Sequence, residues 1–327
     1  MILKGIVSFP KKSKRSCMGI EKKFGEISFE ISNTQKIFYP EAGYTKGDLI
    51  EYYEKIAEIT VPLIQNRPIT MVRFPNGIDG KRFFQKGTPD YFPKWIKTRK
   101  IKKQEGGDTK YVVCNNQATL VYLANQACIT PHIWLSRIDK LDYPDKLIID
   151  LDPEVDDFSK VKAAAVTVKE LLNKRLGLPV FLMTTGSRGL HVVVPLKRTK
   201  DFDKVRDFAQ KAAKFVEEEN KEVYTTAARK NKREGKIYLD VGRNAFAQTG
   251  VAPYAVRSIE GAPVATPLFW EELEEDSLSP RSYNIKNVLQ KLEEKGDPWK
   301  DFTRSSVTIT SAEKKLNKII GKKQSKK

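Results

Sequence analysis

The segment KLIIDLDPEVDD, residues 146–157, brings two carboxylates, Asp150 and Asp152, to the end of an apolar run with a single residue between them. Side chains two positions apart on a strand share a face. Like charges held side by side repel, so the pair needs a partner that offsets the repulsion, and a divalent cation is one. The same residues also suit a turn at Asp152-Pro153 and a helix cap at Asp157, so the motif decides nothing until its surroundings are read.

Working outward, the spacing predicts strand 146–152, helix 158–176, strands 179–185 and 190–196, helix 201–219, a basic loop 226–236 and strand 236–241. This β-α-β-β-α-β order is that of the split βαβ arrangement shared by ferredoxin-like and RNA-recognition folds. Its first and last strands tend to be neighbours, and GKIYLDVGRN ends the last one with Asp240. Three carboxylates, Asp150, Asp152 and Asp240, then meet at adjacent strand ends. Such oxygen donors suit Mn²⁺ or Mg²⁺. A pair of these ions, roughly 3.5–4 Å apart, activates an attacking hydroxyl and stabilises a leaving pyrophosphate.

FLMTTGSRGLHVVVPL, residues 181–196, reads as strand, small polar turn, strand. Gly186 and Gly189 let backbone approach a ligand closely, and Arg188 offers a planar donor fork suited to phosphate. Thr185, Arg188 and His191 are placed to face a triphosphate, although a plain hairpin with a core histidine has the same pattern. His132, in ITPHIWLSR, follows a helix and a proline, and Arg243 follows Asp240 by three residues. In KRFFQK, Phe83 and Phe84 lie between cations; at least one is expected in the core and the other free to stack on a base. Lys36 and Lys46 lie either side of a turn.

The N-terminal half reads as a basic, poorly patterned extension (1–24), then strand 26–33 and a helix across 44–66 with Thr45 as its N-cap. Strand 67–75, a turn, an exposed hairpin at 96–110 and a helix over 117–129 follow. Past the split βαβ unit, VAPYAVRSIEGAPVATPLFWEEL is expected to wrap over the surface, before helix 284–295 and a frayed Lys-rich tail. The expected organisation is therefore a catalytic domain over 25–302, divided into modules 25–140 and 141–302, with tails 1–24 and 303–327.

Lysine and arginine outnumber aspartate and glutamate 59 to 41, a net charge of +18, which favours nucleic acid as partner. Cys17, Cys114 and Cys128 are scattered and form no CxxC, against a disulfide framework or zinc ribbon. The uncharged stretch 111–136 contains Asn, Gln, Pro and His and reads as a buried helix with its flank, not a membrane span. The N-terminal charges follow a very short apolar run, opposite to a signal peptide. The expectation is a soluble cytoplasmic, nucleoid-associated protein without a membrane partner.

The combination of DLD, T-x-G-x-x-G-L-H, a strand ending in YLD, and VAPY-x-VR resembles the polymerase domain of the bacterial ligase D proteins. That group is a branch of the archaeo-eukaryotic primase superfamily serving non-homologous end joining. The likeness runs from about residue 25 to 302 and implies an α/β (α+β) primase-polymerase fold, an N-terminal α/β module packed on the catalytic split βαβ module. It further implies that Asp150, Asp152 and Asp240 bind two catalytic ions, often Mn²⁺. Thr185, Ser187, Arg188 and His191 of the turn, with His132 and Arg243, would contact the incoming NTP or dNTP. Lys36 and Lys46 would recognise a 5′-phosphate at a gap or recessed DNA end, and Phe83 and Phe84 the template or nascent base pair. The turn reads TTGSRG where the family pattern is closer to TSGGKG, and Val72 stands where some members carry lysine. The ligase motif K-x-D-G is absent from this sequence, so the resemblance implies a separate DNA ligase and a Ku-like end binder. The rival readings are a metal-dependent nuclease, a replicative-type primase and a non-catalytic end-binding module.

Overall fold

The run KLIID is apolar at successive positions because strand Lys146–Pro153 is covered on both faces. The structure, a computed structural model, describes residues 19–102, 106–154 and 157–325. Leu147, Ile149 and Leu151 face a core shared with helices Phe158–Lys169 and Phe202–Glu219, whereas Ile148 belongs to the core built with the N-terminal half. Asp150 and Asp152 lie on the face of Ile148 and so look toward that half.

In the sheet around this strand the order is Tyr224–Thr225, Ile237–Asp240, Lys146–Pro153, Leu190–Pro195, Phe181–Thr184, Pro267–Leu268. The neighbours pair antiparallel except the first two, which are parallel. Removing the two edge strands leaves the split βαβ unit, with its first and last strands adjacent as expected. Asp201 caps the helix that follows the hairpin by accepting from the Lys204 amide at 2.9 Å.

A second sheet runs Thr249–Val251, Cys128–Trp134, Pro68–Arg73, Asp108–Val113, Thr98–Lys102, with Phe83–Gln85 attached to Pro68–Arg73. Helix Lys46–Ile64 packs its stripe of Leu49, Ile50, Tyr53, Ile56 and Ala57 into the core of this half. Each buried Leu or Ile contributes about 1.5–3 kcal/mol. Thr45 is its N-cap, accepting from the Asp48 amide at 3.1 Å while Asp48 Oδ2 accepts from the Thr45 amide at 2.8 Å, a complete capping box.

Several elements depart from the sequence reading. Ile20–Phe24, within the segment expected to lack pattern, is a strand paired with Ile27–Ile31; IEKKF alternates, but only Phe24 reaches the core. The tail holds helix Thr310–Gln324, whose Ala312 and Leu316, with Ile309 just before it, are buried against the catalytic module. Its lysines masked a stripe of short apolar residues. The segment after the split βαβ unit is not a surface wrap: Thr249–Val251 pairs with Cys128–Trp134 of the other sheet, and Ala252, Ala255, Val256, Ala262, Val264 and Ala265 are fully buried. Small side chains let irregular backbone enter the core. The helix at 117 stops at Asn125, since Ala127 takes φ +59° before strand Cys128–Trp134. Residues 1–18 and 326–327, the ends of the two expected tails, lie outside the described residues.

Candidate active site

Register brings the carboxylates together. Asp150 stands directly opposite Asp240 on one neighbouring strand and His191 on the other, and Asp152 stands opposite Tyr238. Residues in register share a face, so Asp240, Asp150 and His191 form one row and Asp152 and Tyr238 begin the next.

Asp150 is 9% exposed and His191 only 3%. His191 Nε2 lies 3.5 Å from Asp150 Oδ2, and Arg243 Nε lies 3.6 Å from the same oxygen. Burial alone would raise the Asp150 pKa, but His191, Arg243 and Arg257 together outweigh it and hold the carboxyl below the usual range. Asp152 is more open and sits between Arg188 Nη2 at 3.2 Å and Arg233 Nη1 at 3.3 Å. Asp240 Oδ1 accepts from the Gly242 amide at 2.7 Å and the Tyr238 hydroxyl at 3.2 Å. Asn244 locks this corner, its Oδ1 accepting from the Ile148 amide at 2.9 Å and its Nδ2 donating to the Ile148 carbonyl at 2.7 Å.

The glycine turn lies against the aspartate strand. A Cβ on Gly189 would stand 2.1 Å from the Leu151 carbonyl oxygen, and one on Gly186, at φ +64°, would stand 2.7 Å from Arg257 Cγ. Only glycine fits either place. The Thr185 hydroxyl closes the turn: it accepts from the Ser187 and Gly189 amides at 3.3 and 3.2 Å. Arg257 Nη1 donates to the Thr185 carbonyl at 2.6 Å, tying the turn to the buried segment behind it.

These groups enclose a cleft of about 180 Å³ lined by His132, Asp150, Asp152, Thr185, Ser187, Arg188, His191, Asp240, Arg243 and Arg257 among others. All nine residues expected around metals and nucleotide therefore share one cavity with Arg257, which the sequence reading left out. His132 reaches it from the other sheet, on strand Cys128–Trp134. Enclosure in the cleft, then Arg257, Arg243 and His191, push its pKa down to about 3, so it is a neutral imidazole at physiological pH. Arg233, which reaches Asp152 and lies 4.0 Å over the Tyr238 ring, was also missed. Its signal was the basic loop 226–236, and that of Arg257 the final residue of VAPYAVR.

The donor set fits a hard divalent ion: three aspartates on adjacent strands, one of them kept ionised. Among the described residues no three His, Cys, Asp or Glu side chains converge into a ready-made cage. Asp152 is engaged instead by two arginines.

The expected DNA contacts lie elsewhere. Lys36 Nζ donates to the Pro75 carbonyl and Asn76 Oδ1, both at 2.7 Å, and Lys46 Nζ to the Ser32 carbonyl at 2.6 Å. The two lysines meet beside the first turn of helix Lys46–Ile64, where the Lys46 amide donates to the Lys36 carbonyl. Burial, then Lys36, lower the Lys46 pKa to about 8. Phe83 and Phe84 correct the expectation that one is core: both are exposed, because Phe83–Gln85 is an edge strand paired only with Pro68–Arg73. Cys114 and Cys128 are free and buried, which pushes their thiols up to about 12. No described helix is long and apolar enough to cross a membrane.

Residues 45–299 match the family described as LigD, primase-polymerase domain. The chain is 31% identical over 278 residues to a Bacillus subtilis bifunctional non-homologous end joining protein LigD, covering 84% of this chain and 44% of that protein. It is 32% identical over 270 residues to a Mycolicibacterium smegmatis multifunctional non-homologous end joining protein LigD, covering 82% and 35%. The chain thus spans less than half the length of these relatives. The solved polymerase domain of Mycobacterium tuberculosis ligase D in complex with DNA superposes with a TM-score of 0.80 at 29% identity, over 84% of this chain and 98% of that one. With the carboxylate row, the glycine turn and the two-sheet core all falling inside the matched span, this chain belongs to the LigD primase-polymerase domain family.

Proposed function

We propose that the chain is a template-dependent nucleotidyltransferase that adds nucleotides, ribonucleotides preferred, to primer 3′ ends at gaps and broken DNA ends during non-homologous end joining. The observation that carries this is the register pairing of Asp150 with Asp240, with Asp152 on the same face, in a cleft that also gathers the glycine turn, Arg188, Arg243 and Arg257. Asp150 and Asp152 would hold two Mn²⁺ or Mg²⁺ ions in common, and Asp240 would complete the one nearer the primer. Bound there, the ions supply Lewis acidity to the primer hydroxyl and to the leaving pyrophosphate.

The chain's own groups prepare the rest. Arg188, Arg243 and Arg257 give the cleft the positive charge that a triphosphate needs, and their donor forks fix its oxygens. Ser187 lies at the tip of the turn and Thr185 shapes it, so the Gly186–Gly189 backbone can approach the phosphates. His191, with Nε2 3.5 Å from Asp150 Oδ2, stands beside that carboxylate and limits where it can move. His132, neutral, offers a hydrogen bond to the nucleotide without adding charge. Lys36 and Lys46, paired at a helix start, suit a terminal 5′-phosphate, and Phe83 and Phe84 suit unpaired bases. A separate ligase and a Ku-like end binder are the protein partners this reading implies.

Extension of a labelled primer across a short gap, with and without a downstream 5′-phosphate, tests it. Templated ribonucleotide addition, stimulated by the 5′-phosphate and unstimulated in Lys36→Ala, is expected. Shortening of the DNA with metal alone would point to a nuclease, and addition without any primer to a replicative-type primase.

A further inference from the structure

The three most exposed aromatic rings among the described residues lie close in sequence: Tyr91 at 61%, Phe84 at 60% and Phe83 at 43%. Nothing about packing explains Tyr91, whose ring loses stabilisation by standing in water. Its position is nevertheless fixed. Arg73 Nη1 donates to the Tyr91 hydroxyl at 3.0 Å and to Gln85 Oε1 at 2.6 Å, while its Nε donates to the Gln126 carbonyl at 2.7 Å. The Tyr91 ring stands edge-on to Phe92, 5.3 Å between centroids, and Phe92 is anchored in the core against Tyr122.

Arg73 and Phe83 are in register on paired strands, so they share a face with Gln85, and the hydroxyl of Tyr91 is held at that face. Phe84 points to the other side. Cations lie over two of the rings: Lys81 Nζ is 5.5 Å from the Phe83 ring centroid and the Arg82 guanidinium 4.7 Å from that of Phe84. Exposed rings with positive charges beside them match a strand that alternates bases with phosphates. An apolar protein partner would instead have to desolvate those cations.

We propose that Tyr91 is a nucleobase-stacking residue that, braced by Arg73 and beside Phe83, receives an unpaired base of the DNA strand. This rests on the reading that Phe83 and Phe84 meet the template, and it assigns the next position along an unpaired stretch to Tyr91. It makes the protein sensitive to how many template bases are unpaired, a quantity that the cleft itself does not measure.

Binding of gapped DNA by fluorescence anisotropy, without metal or nucleotide, tests this using gaps of one and of several nucleotides. Tyr91→Ala is expected to weaken the long-gap complex about fivefold or more while leaving the one-nucleotide gap unchanged. Tyr91→Phe, which keeps the ring but loses the hydroxyl that Arg73 holds, is expected to weaken the long-gap complex clearly less than Tyr91→Ala does and to leave the one-nucleotide gap unchanged. Equal affinity of Tyr91→Ala for the long gap overturns the proposal, as does equal weakening on both gaps. Loss in Tyr91→Phe as large as in Tyr91→Ala overturns it too, since the link to Arg73 and not the ring would then matter. Failure of the unaltered protein to bind either DNA overturns the DNA-repair reading and the proposal together. Thermal melting of both variants is expected to match the unaltered protein, because the side chain is exposed.

Discussion

Replacing Gly189 with alanine adds one carbon at the place where the glycine turn meets the aspartate strand. That carbon would stand 2.1 Å from the Leu151 carbonyl oxygen, a rigid backbone atom lying between Asp150 and Asp152. Non-bonded contact requires about 3 Å or more, so turn and strand must separate by roughly 1 Å. Arg188 moves with the turn, and the two aspartates with the strand. A displacement of about 1 Å between groups that hold one substrate costs on the order of 10²-fold in rate, or about 2.7 kcal/mol of barrier. Overpacking costs about 1–3 kcal/mol of stability, which a domain with about 5–15 kcal/mol in hand survives. Single-turnover nucleotide addition on gapped DNA reads the first quantity and a denaturant melt the second. Gly87→Ala, where the added carbon meets nothing within 4 Å, serves as control. A folded Gly189→Ala protein extending primers as fast as the control would refute the claim that this close approach sets the geometry of the cleft.

Other expectations concern different parts of the molecule. Phe84→Ala is expected to weaken binding to DNA with unpaired bases by about 1–3 kcal/mol, read by anisotropy, without changing the melting temperature. Leu316→Ala, on the buried face of the tail helix, is expected to lose about 2–5 kcal/mol in a urea titration, whereas a helix that merely rides on the surface would show no change. Because the folded Lys46 pKa of about 8 lies below the ordinary 10.5, its charged form is disfavoured in the fold; stability gains as pH rises from about 8 to 10.5. Over that same rise the lysine loses its charge, and the preference for 5′-phosphorylated gaps is expected to decline, measured as the ratio of binding constants with and without the phosphate.

The strand Lys146–Pro153 was legible because its two signals, burial on both faces and paired carboxylates, occupy alternate positions of one short segment. From it the split βαβ order and the adjacency of Asp240 followed. What the sequence hid was long-range. Arg257 belongs to the cleft only because Thr249–Val251 crosses to the other sheet and delivers it. Arg233 reaches Asp152 from a loop of like charges whose members the sequence does not rank. The pairing of Phe83–Gln85 on one side only left both phenylalanines exposed, although alternation alone would have buried one. The tail helix was obscured by lysines on its outer face, which charge counting reads as a solvated segment.

In the proposed function, Asp150, Asp152 and Asp240 act as one nucleotidyl-transfer centre. Its most direct measurement is primer extension by Asp150→Asn, Asp152→Asn and Asp240→Asn proteins on gapped DNA with Mn²⁺, alongside their affinity for the same DNA. Each substitution is expected to abolish addition while DNA binding is retained. Extension at the unaltered rate by any one of the three, in a protein that binds the DNA normally, would contradict it.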